Sequence, residues 1–233
     1  MTKDNIAFTI FHIPGSNRDD LYSKSHNIML QNFSKLHTPT VVLKDNLEVG
    51  EFFNNKEIAI NKNGFYNSGW KIGELGIWGS TYLAWENFVK SNYDYLIIME
   101  DDIILDDDFI DKFNFYKKEL PEDWEVFFVH TPEFLKLPEF KKYRLDCGKG
   151  YIARSHQIAS ALCYVITKPA AEKLIELVKE PVISPIDQYI MQDVDLKRYS
   201  LRWDVKNICT YPTNLKSQIQ ESPKIIFESL PNI

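Results

Sequence analysis

Tyr95-Leu96-Ile97-Ile98-Met99-Glu100-Asp101-Asp102 decides how this chain is read. The apolar run predicts a buried strand, and three carboxylates where such a strand meets solvent are hard to justify on stability alone. Adjacent carboxylates repel and raise one another's pKa unless a cation sits between them, which a hard divalent ion with oxygen ligands does best. The plainer alternative is a solvated acidic turn, because Asp106-Asp107-Asp108 follow closely. That second acidic run directly precedes Phe109-Ile-Asp-Lys-Phe-Asn-Phe-Tyr116, which has helical spacing. A capping role is expected of it rather than metal binding.

Working outward, strand-like and helix-like segments alternate, which points to an α/β layer structure rather than a bundle or a sandwich. Ile6 to Ile13 reads as a first strand, stopped by Pro14-Gly15-Ser16-Asn17, and Thr40 to Leu43 as a second. Glu74 to Lys90 carries Leu75, Trp78, Tyr82, Trp85, Phe88 and Val89 at helical spacing and feeds the strand before the acids. Glu125 to His130 and Ala161 to Thr167 are further strands. Lys168-Pro169 opens a helix that Pro181 closes, proline costing little at an early helical position. Another helix is expected from Ile186 to Leu196.

At 233 residues and 44% hydrophobic, the chain can bury one substantial core. We expect a single domain over 1–233 with an irregular C-terminal segment from about residue 212, where Pro212, Pro223 and Pro231 fall. A net charge of −6 argues against a general nucleic-acid binder, which needs a basic face to displace counterions. Cys147, Cys163 and Cys209 are odd in number and lack paired metal-type spacing, so a reduced compartment is expected. No stretch approaches the 18 to 20 uninterrupted apolar residues of a membrane span. A soluble, cytoplasmic protein follows as the expectation.

Four ordered blocks carry a family resemblance across roughly residues 70 to 195. Gly73-Glu74-Leu75-Gly76 with Ser80 and Trp85, then Leu96 to Ile103, then Ala159 to Leu174, then Pro185-Ile186-Asp187-Gln188-Tyr189 resemble the blocks of glycosyltransferase family 25. A weaker likeness is the strand Ile6 to Ile13 followed by Arg18. The resemblance implies a GT-A nucleotide-sugar transferase: a Rossmann-like three-layer sandwich with a mostly parallel sheet, holding Mn²⁺ or Mg²⁺ and a UDP-sugar. It also implies transfer of galactose or glucose to a saccharide acceptor in glycan synthesis, such as bacterial lipooligosaccharide. A lipid-linked acceptor would bring the enzyme to a membrane surface, though no anchor or basic amphipathic helix is evident.

Two departures stand out. Ser80-Thr81 occupies the place of the family's common Ser-His pair, and none of the five histidines lies in the C-terminal tail. Asn214, Ser217 and Gln218 are the nearest tail substitutes for a third metal ligand.

The chemistry assigns roles. Sugar transfer from a nucleoside diphosphate builds negative charge on the leaving phosphate, which a divalent cation stabilises. Asp102 is the expected main metal ligand, with Glu100 and Asp101 dividing contacts to ribose and metal-bound water. Inverting transfer needs a carboxylate to accept the acceptor's proton, and Asp187 is the candidate, although an Asp after Ser184-Pro185 also suits a helix's first turn. Glu74, Lys71 and Arg18 are candidate donor contacts; Glu74 equally suits a helix start, and lone cations usually face solvent. Arg154 and His156 are weaker candidates for phosphate and acceptor. Trp70 and Trp78 could stack on a base or sugar, but aromatic residues around amphipathic helices more often belong to the core. Two other classes compete: a catalytically silent sugar-nucleotide or saccharide-binding module, and a Mg²⁺-dependent phosphohydrolase. The latter is disfavoured because Ile103-Ile-Leu follows the acids in place of an Asp-x-Asp-Gly-Thr signature.

Overall fold

The acidic stretch ends β3 (Tyr95–Glu100), and its two neighbours organise the sheet. β1 (Ile6–Phe11) lies parallel to it, from Ile6↔Tyr95 to Phe11↔Glu100, while β7 (Cys163–Thr167) runs antiparallel on the other side. With β2 (Ser34–Lys35), β5 (Val126–Phe128), β6 (Ile152–Arg154) and β8 (Arg198–Leu201), the order is β2-β1-β3-β7-β5-β8-β6. Five of these seven strands point the same way; β6 and β7 are reversed. A separate ribbon pairs β4 (Ile104–Leu105) with β9 (Cys209–Thr210). The computed structural model describes residues 5–61, 69–131, 150–154, 162–178, 181–182, 184–190, 194–212 and 222–224.

Alternation along the strands divides the core into two layers, since successive side chains face opposite sides of a sheet. Leu96 and Ile98 join one core with α2 (Asn46–Asn55), α3 (Ile72–Lys90), α5 (Lys168–Leu177) and α6 (Ile186–Gln188). Ile97 and Met99 join the other, with α1 (Asp19–Leu30) and α4 (Phe109–Lys117). Helices therefore cover both faces, giving the expected three-layer α/β architecture. Pro169 sits at the start of α5, where Thr167 also accepts the Ala170 N–H at 3.4 Å.

α3 places much of what surrounds β3. Its mostly apolar sequence is buried on nearly every side, as suits a helix packed against sheet and helices at once. Trp70 and Trp78 are core residues: each indole N–H donates to a backbone carbonyl, of Asn61 and Ser184 respectively, both at 2.9 Å. Gly76 is needed for close approach, because a Cβ there would stand 3.0 Å from the Val41 carbonyl oxygen.

Three expectations are corrected. Thr40 to Leu43 forms no strand; it crosses the start of α3 as an extended segment, its N–H at Val41 donating to Ser80 Oγ at 2.8 Å. The sheet pairing falls instead at Ser34–Lys35. The Ile186 to Leu196 helix is described as α6 followed by a wider turn at Tyr189 and Ile190, and 194–197 are not helical. Arg198 Nη1 donates to the carbonyls of Ile190 (3.0 Å) and Val194 (2.8 Å), satisfying groups a longer helix would have paired internally. Asp106 to Asp108 precede α4 as expected, but no side chain caps it. They hold lysines: Asp108 pairs with Lys112 at 2.8 Å, and Asp106 with Lys112 (3.1 Å) and Lys206 (2.8 Å). Burial pushes the Asp106 carboxyl up, but the hydrogen bonds from Lys206 and Lys112 outweigh it and leave it below the usual carboxylate range.

Cys163 and Cys209 are buried free thiols, and Cys147 lies outside the described residues. The tail from 213 to 221 is likewise outside them, so Asn214, Ser217 and Gln218 have no described position.

Trp78→Phe keeps a buried ring and removes the N–H that holds the Ser184 carbonyl. Urea unfolding should show a loss of about 1–3 kcal/mol; an unchanged midpoint would remove that hydrogen bond from the account of how α3 positions residues 184–189.

Candidate active site

The parallel register sets Phe11 beside Glu100, and the next residues, His12 and Asp101, then meet side by side. His12 Nδ1 is 2.9 Å from Asp101 Oδ2 and its Nε2 is 3.1 Å from Asp19 Oδ1. The imidazole also stacks on Tyr22, with centroids 4.0 Å apart. After β1 a turn through Gly15, whose φ of 79° favours glycine, brings Arg18 back under the acids. Arg18 Nη1 is 2.9 Å from Asp101 Oδ1 and Nη2 is 3.2 Å from Asp102 Oδ2. Arg18 is 6% exposed and Asp101 4%, so this is a buried ion pair rather than a surface contact.

Both Asp101 oxygens are thus taken. Asp102 differs: its Oδ1 is buried and has no hydrogen-bond partner among the described residues. Burial, with the Asp102, Asp187 and Asp101 charges outweighing Arg18, pushes Glu100 from the ordinary 4.5 up to about 8. Asp102 is raised too, by burial first and by Asp101, against the pull of Arg18. Asp187 belongs to the same electrostatic cluster although 87 residues separate it from Glu100. Burial raises its carboxyl, opposed by the Gln188 N–H that donates to Oδ1 at 2.8 Å. Trp78 positions this turn from both sides, through its bond to Ser184 and its ring contact with Tyr189 at 4.8 Å.

A cleft of about 210 Å³ opens beside the acids. Glu100, Asp101, His12 and Arg18 form one wall; Thr40 to Lys44 and the first turns of α3 form the others. Ser222 and Pro223 close its rim. The Ile72 N–H donates to the Pro223 carbonyl at 3.0 Å and the Gly73 N–H to Ser222 Oγ at 3.1 Å, so this part of the tail satisfies amides that a helix start leaves unpaired.

The other sequence candidates take these places. Glu74 accepts the Lys71 N–H at 2.8 Å, closing the first turn of α3, and the Lys71 backbone bridges to Lys224. Arg154 stands on β6, the edge strand four places from β3, and His156 lies outside the described residues. Ser80, in place of the Ser-His pair, holds the cleft wall: its Oγ donates to the Gly76 carbonyl at 2.9 Å while accepting from Val41. His12 and the Ser222–Pro223 contact were missed by sequence reasoning. His12 had one legible signal, a polar side chain just beyond an apolar strand; the tail contact spans 149 residues and had none.

A family model for glycosyltransferase family 25 (LPS biosynthesis protein) matches residues 54–190, more than half of the chain. The chain belongs to glycosyltransferase family 25. The lipooligosaccharide biosynthesis protein lex-1 of Haemophilus influenzae (strain ATCC 51907 / DSM 11121 / KW20 / Rd) is 29% identical over 161 residues. That alignment covers 64% of this family 25 chain and 49% of lex-1, so the match spans about half the length of that relative. Among solved structures, A197 from STIV aligns at TM-score 0.42 and 15% identity, covering 85% of this chain and 82% of that one. A mutant of Drosophila beta-1,4-galactosyltransferase 7, in complex with manganese, UDP-Gal and xylobiose, aligns at TM-score 0.36 and 10% identity, covering 73% and 52%. With both scores below 0.5, the architecture of this family 25 member rests on its own strand pairings.

Among the described residues, no group of three His, Cys, Asp or Glu side chains is arranged to hold a metal ion. The donor set at the acids is smaller: the buried, unpartnered Asp102 Oδ1 and the neighbouring Glu100. Two carboxylates suit a Mn²⁺ or Mg²⁺ ion whose other ligands are water and phosphate oxygens.

Two outcomes test the electrostatics. Arg18→Met leaves Asp101 and Asp102 buried without their guanidinium and should cost about 3–5 kcal/mol at pH 7, less as the pH falls and Asp102, already raised by burial, takes up its proton; urea unfolding at pH 5 and 7 measures both. Glu100 runs with the opposite sign. Its folded pKa lies above the unfolded one, so its stabilisation is complete below about 4.5 and is lost as pH rises toward 8. Without divalent ions, Glu100→Gln should be more stable than wild type at pH 8 by of order 1 kcal/mol, with a smaller gap at pH 5. Equal stability at pH 8 would refute the raised pKa.

Proposed function

We propose that this family 25 chain is an inverting, metal-dependent transferase that moves galactose or glucose from a UDP-sugar to a saccharide acceptor in glycan synthesis. The observation that carries the reading is that Glu100 and Asp101 line a cleft with Asp102 next in sequence, and that Glu100 feels the charge of the distant Asp187, in a chain of this family. Asp102 and Glu100 would hold Mn²⁺ or Mg²⁺, which supplies positive charge against the diphosphate leaving group when bound. The Glu100 pKa supports this, because a carboxyl that ionises reluctantly in an uncompensated acidic cluster is relieved by a divalent cation. Arg18 fixes the orientation of Asp101 and Asp102 through its two nitrogens.

The cleft beside β1 suits the donor, since open α/β sheets bind ligands beyond the carboxyl ends of their strands. Asp187 acts as the base. It takes the proton of the acceptor hydroxyl as that oxygen attacks the anomeric carbon, and its elevated pKa makes the ionised carboxylate the stronger proton acceptor. No described helix is long and apolar enough to cross a membrane. An acceptor carried on lipid would draw the enzyme to a membrane surface.

Thermal shift with UDP-galactose, UDP-glucose, UDP-N-acetylhexosamines and GDP-sugars, with and without Mn²⁺, followed by UDP release on the best donor, tests the proposal. Stabilisation should need both metal and one UDP-sugar. Asp102→Ala should abolish it while the protein stays folded, and Asp187→Asn should keep it and lose about 10²- to 10⁴-fold of transfer. Stabilisation without turnover under any acceptor would favour the silent binding module, and wild-type transfer by Asp187→Asn would remove the base.

A further inference from the structure

We propose that Tyr211 is the stacking platform for a pyranose ring of the acceptor; this rests on the transferase reading above. The β4–β9 ribbon ends with Ile104 opposite Thr210, so Tyr211 leaves one strand where Ile103 and Asp102 leave the other. Tyr211 is 51% exposed, whereas Trp70, Trp78 and Trp85 are all buried in the core. Phe115 and Tyr151, also exposed, pack against each other with centroids 5.4 Å apart.

The ring stands on a fixed base. It meets the ring of buried His130 at 6.0 Å and 68°, an edge contact. His130 follows β5, which points the same way as β3, so it reaches the sheet edge that carries Glu100. Its Nδ1 lies 3.2 Å from the Cys209 carbonyl, two residues before Tyr211. The next residue is locked as well. Thr131 N–H donates to Asn207 Oδ1 and Asn207 Nδ2 to the Thr131 carbonyl, both at 2.8 Å, and Thr131 Oγ1 donates to the Leu201 carbonyl at 2.6 Å. These groups are buried, so the network holds the approach to β9 rigid while leaving the aromatic face to solvent.

A rigid exposed ring binds at low ordering cost. One face of a pyranose presents C–H groups of slight positive charge, which match the negative face of an aromatic ring, while the sugar hydroxyls stay in water or reach the phenol oxygen. The location selects acceptor over donor. Tyr211 is not among the residues that line the cleft on the β1 and α3 side, and it leaves the β4–β9 ribbon at the end where the chain comes from Asp102.

Saturation-transfer NMR on the full chain, with UDP and Mn²⁺ present, uses methyl β-galactoside, methyl β-glucoside and lactose as probes. Wild type and Tyr211→Phe should transfer saturation to the pyranose ring protons, and Tyr211→Ala should bind at least one probe about tenfold more weakly. UDP-dependent thermal stabilisation should be equal in all three, which also reports that the variants fold; Tyr211→Gln replaces the alanine variant if that one does not. Undiminished transfer in the variant, or no binding of any probe to a wild type that does bind UDP, overturns the platform. A parallel loss of UDP affinity overturns it too, because the ring would then serve the nucleotide. A wild type that binds neither UDP nor saccharide fails the transferase reading itself.

Discussion

Arg18 is the interaction on which the arrangement of the acids depends. Its guanidinium binds two carboxylates, and through them it ties the start of α1 to the end of β3. Buried ion pairs seldom add net stability, since desolvation offsets the attraction. Here one guanidinium faces Asp101 and Asp102, with Glu100 close enough to feel all three charges. At the end of β3 the carboxylates outnumber the guanidinium that faces them. The orphaned Asp102 Oδ1 and the reluctance of Glu100 to ionise are two expressions of that deficit.

Around this charge cluster, α3 acts as the common reference for three unrelated segments. Ser80 holds the extended 40–44 wall, Trp78 holds the turn that carries Asp187, and the first turn holds Ser222 and Pro223. Gly73 and Ser80, two turns apart, make theirs from one face of the helix, and Trp78 makes its own from the opposite one. The departure from the family's Ser-His pair is intelligible in the same terms. Ser80 is occupied with backbone groups on both sides, and Thr81 is buried beside it.

What was legible in the sequence followed from strong, local signals. β3, α3 and α5 each carry an uninterrupted apolar run or a clear helical period, and their positions agree closely with expectation. Thr40 to Leu43 has the same composition as a strand, yet Gly76 and Ser80 draw it against a helix instead of a sheet, a tertiary preference that β-propensity does not contain. The 186–196 stretch reads as helical because the capturing guanidinium of Arg198 cannot be anticipated from local spacing. Short strands such as β6 and β8 mix charged and apolar residues and gave little period to detect. In the site, Glu100 to Asp102 announced themselves by adjacency, and Arg18 and Asp187 through resemblance. His12 depends on a parallel pairing between strands 89 residues apart, and its contact with Asp101 became visible with the register.

The seating of Ser222 and Pro223 on the first turn of α3 has a consequence for biosynthesis. The acids, the cation that orients them and the helix behind them emerge from the ribosome first, whereas the residues that finish the cleft rim come 120 positions after Asp102. At ribosomal speeds of about 5–20 residues per second, that interval lasts roughly 6–24 seconds. During it the nascent chain carries an acidic, half-walled cleft with two helix amides open to solvent or to a chaperone.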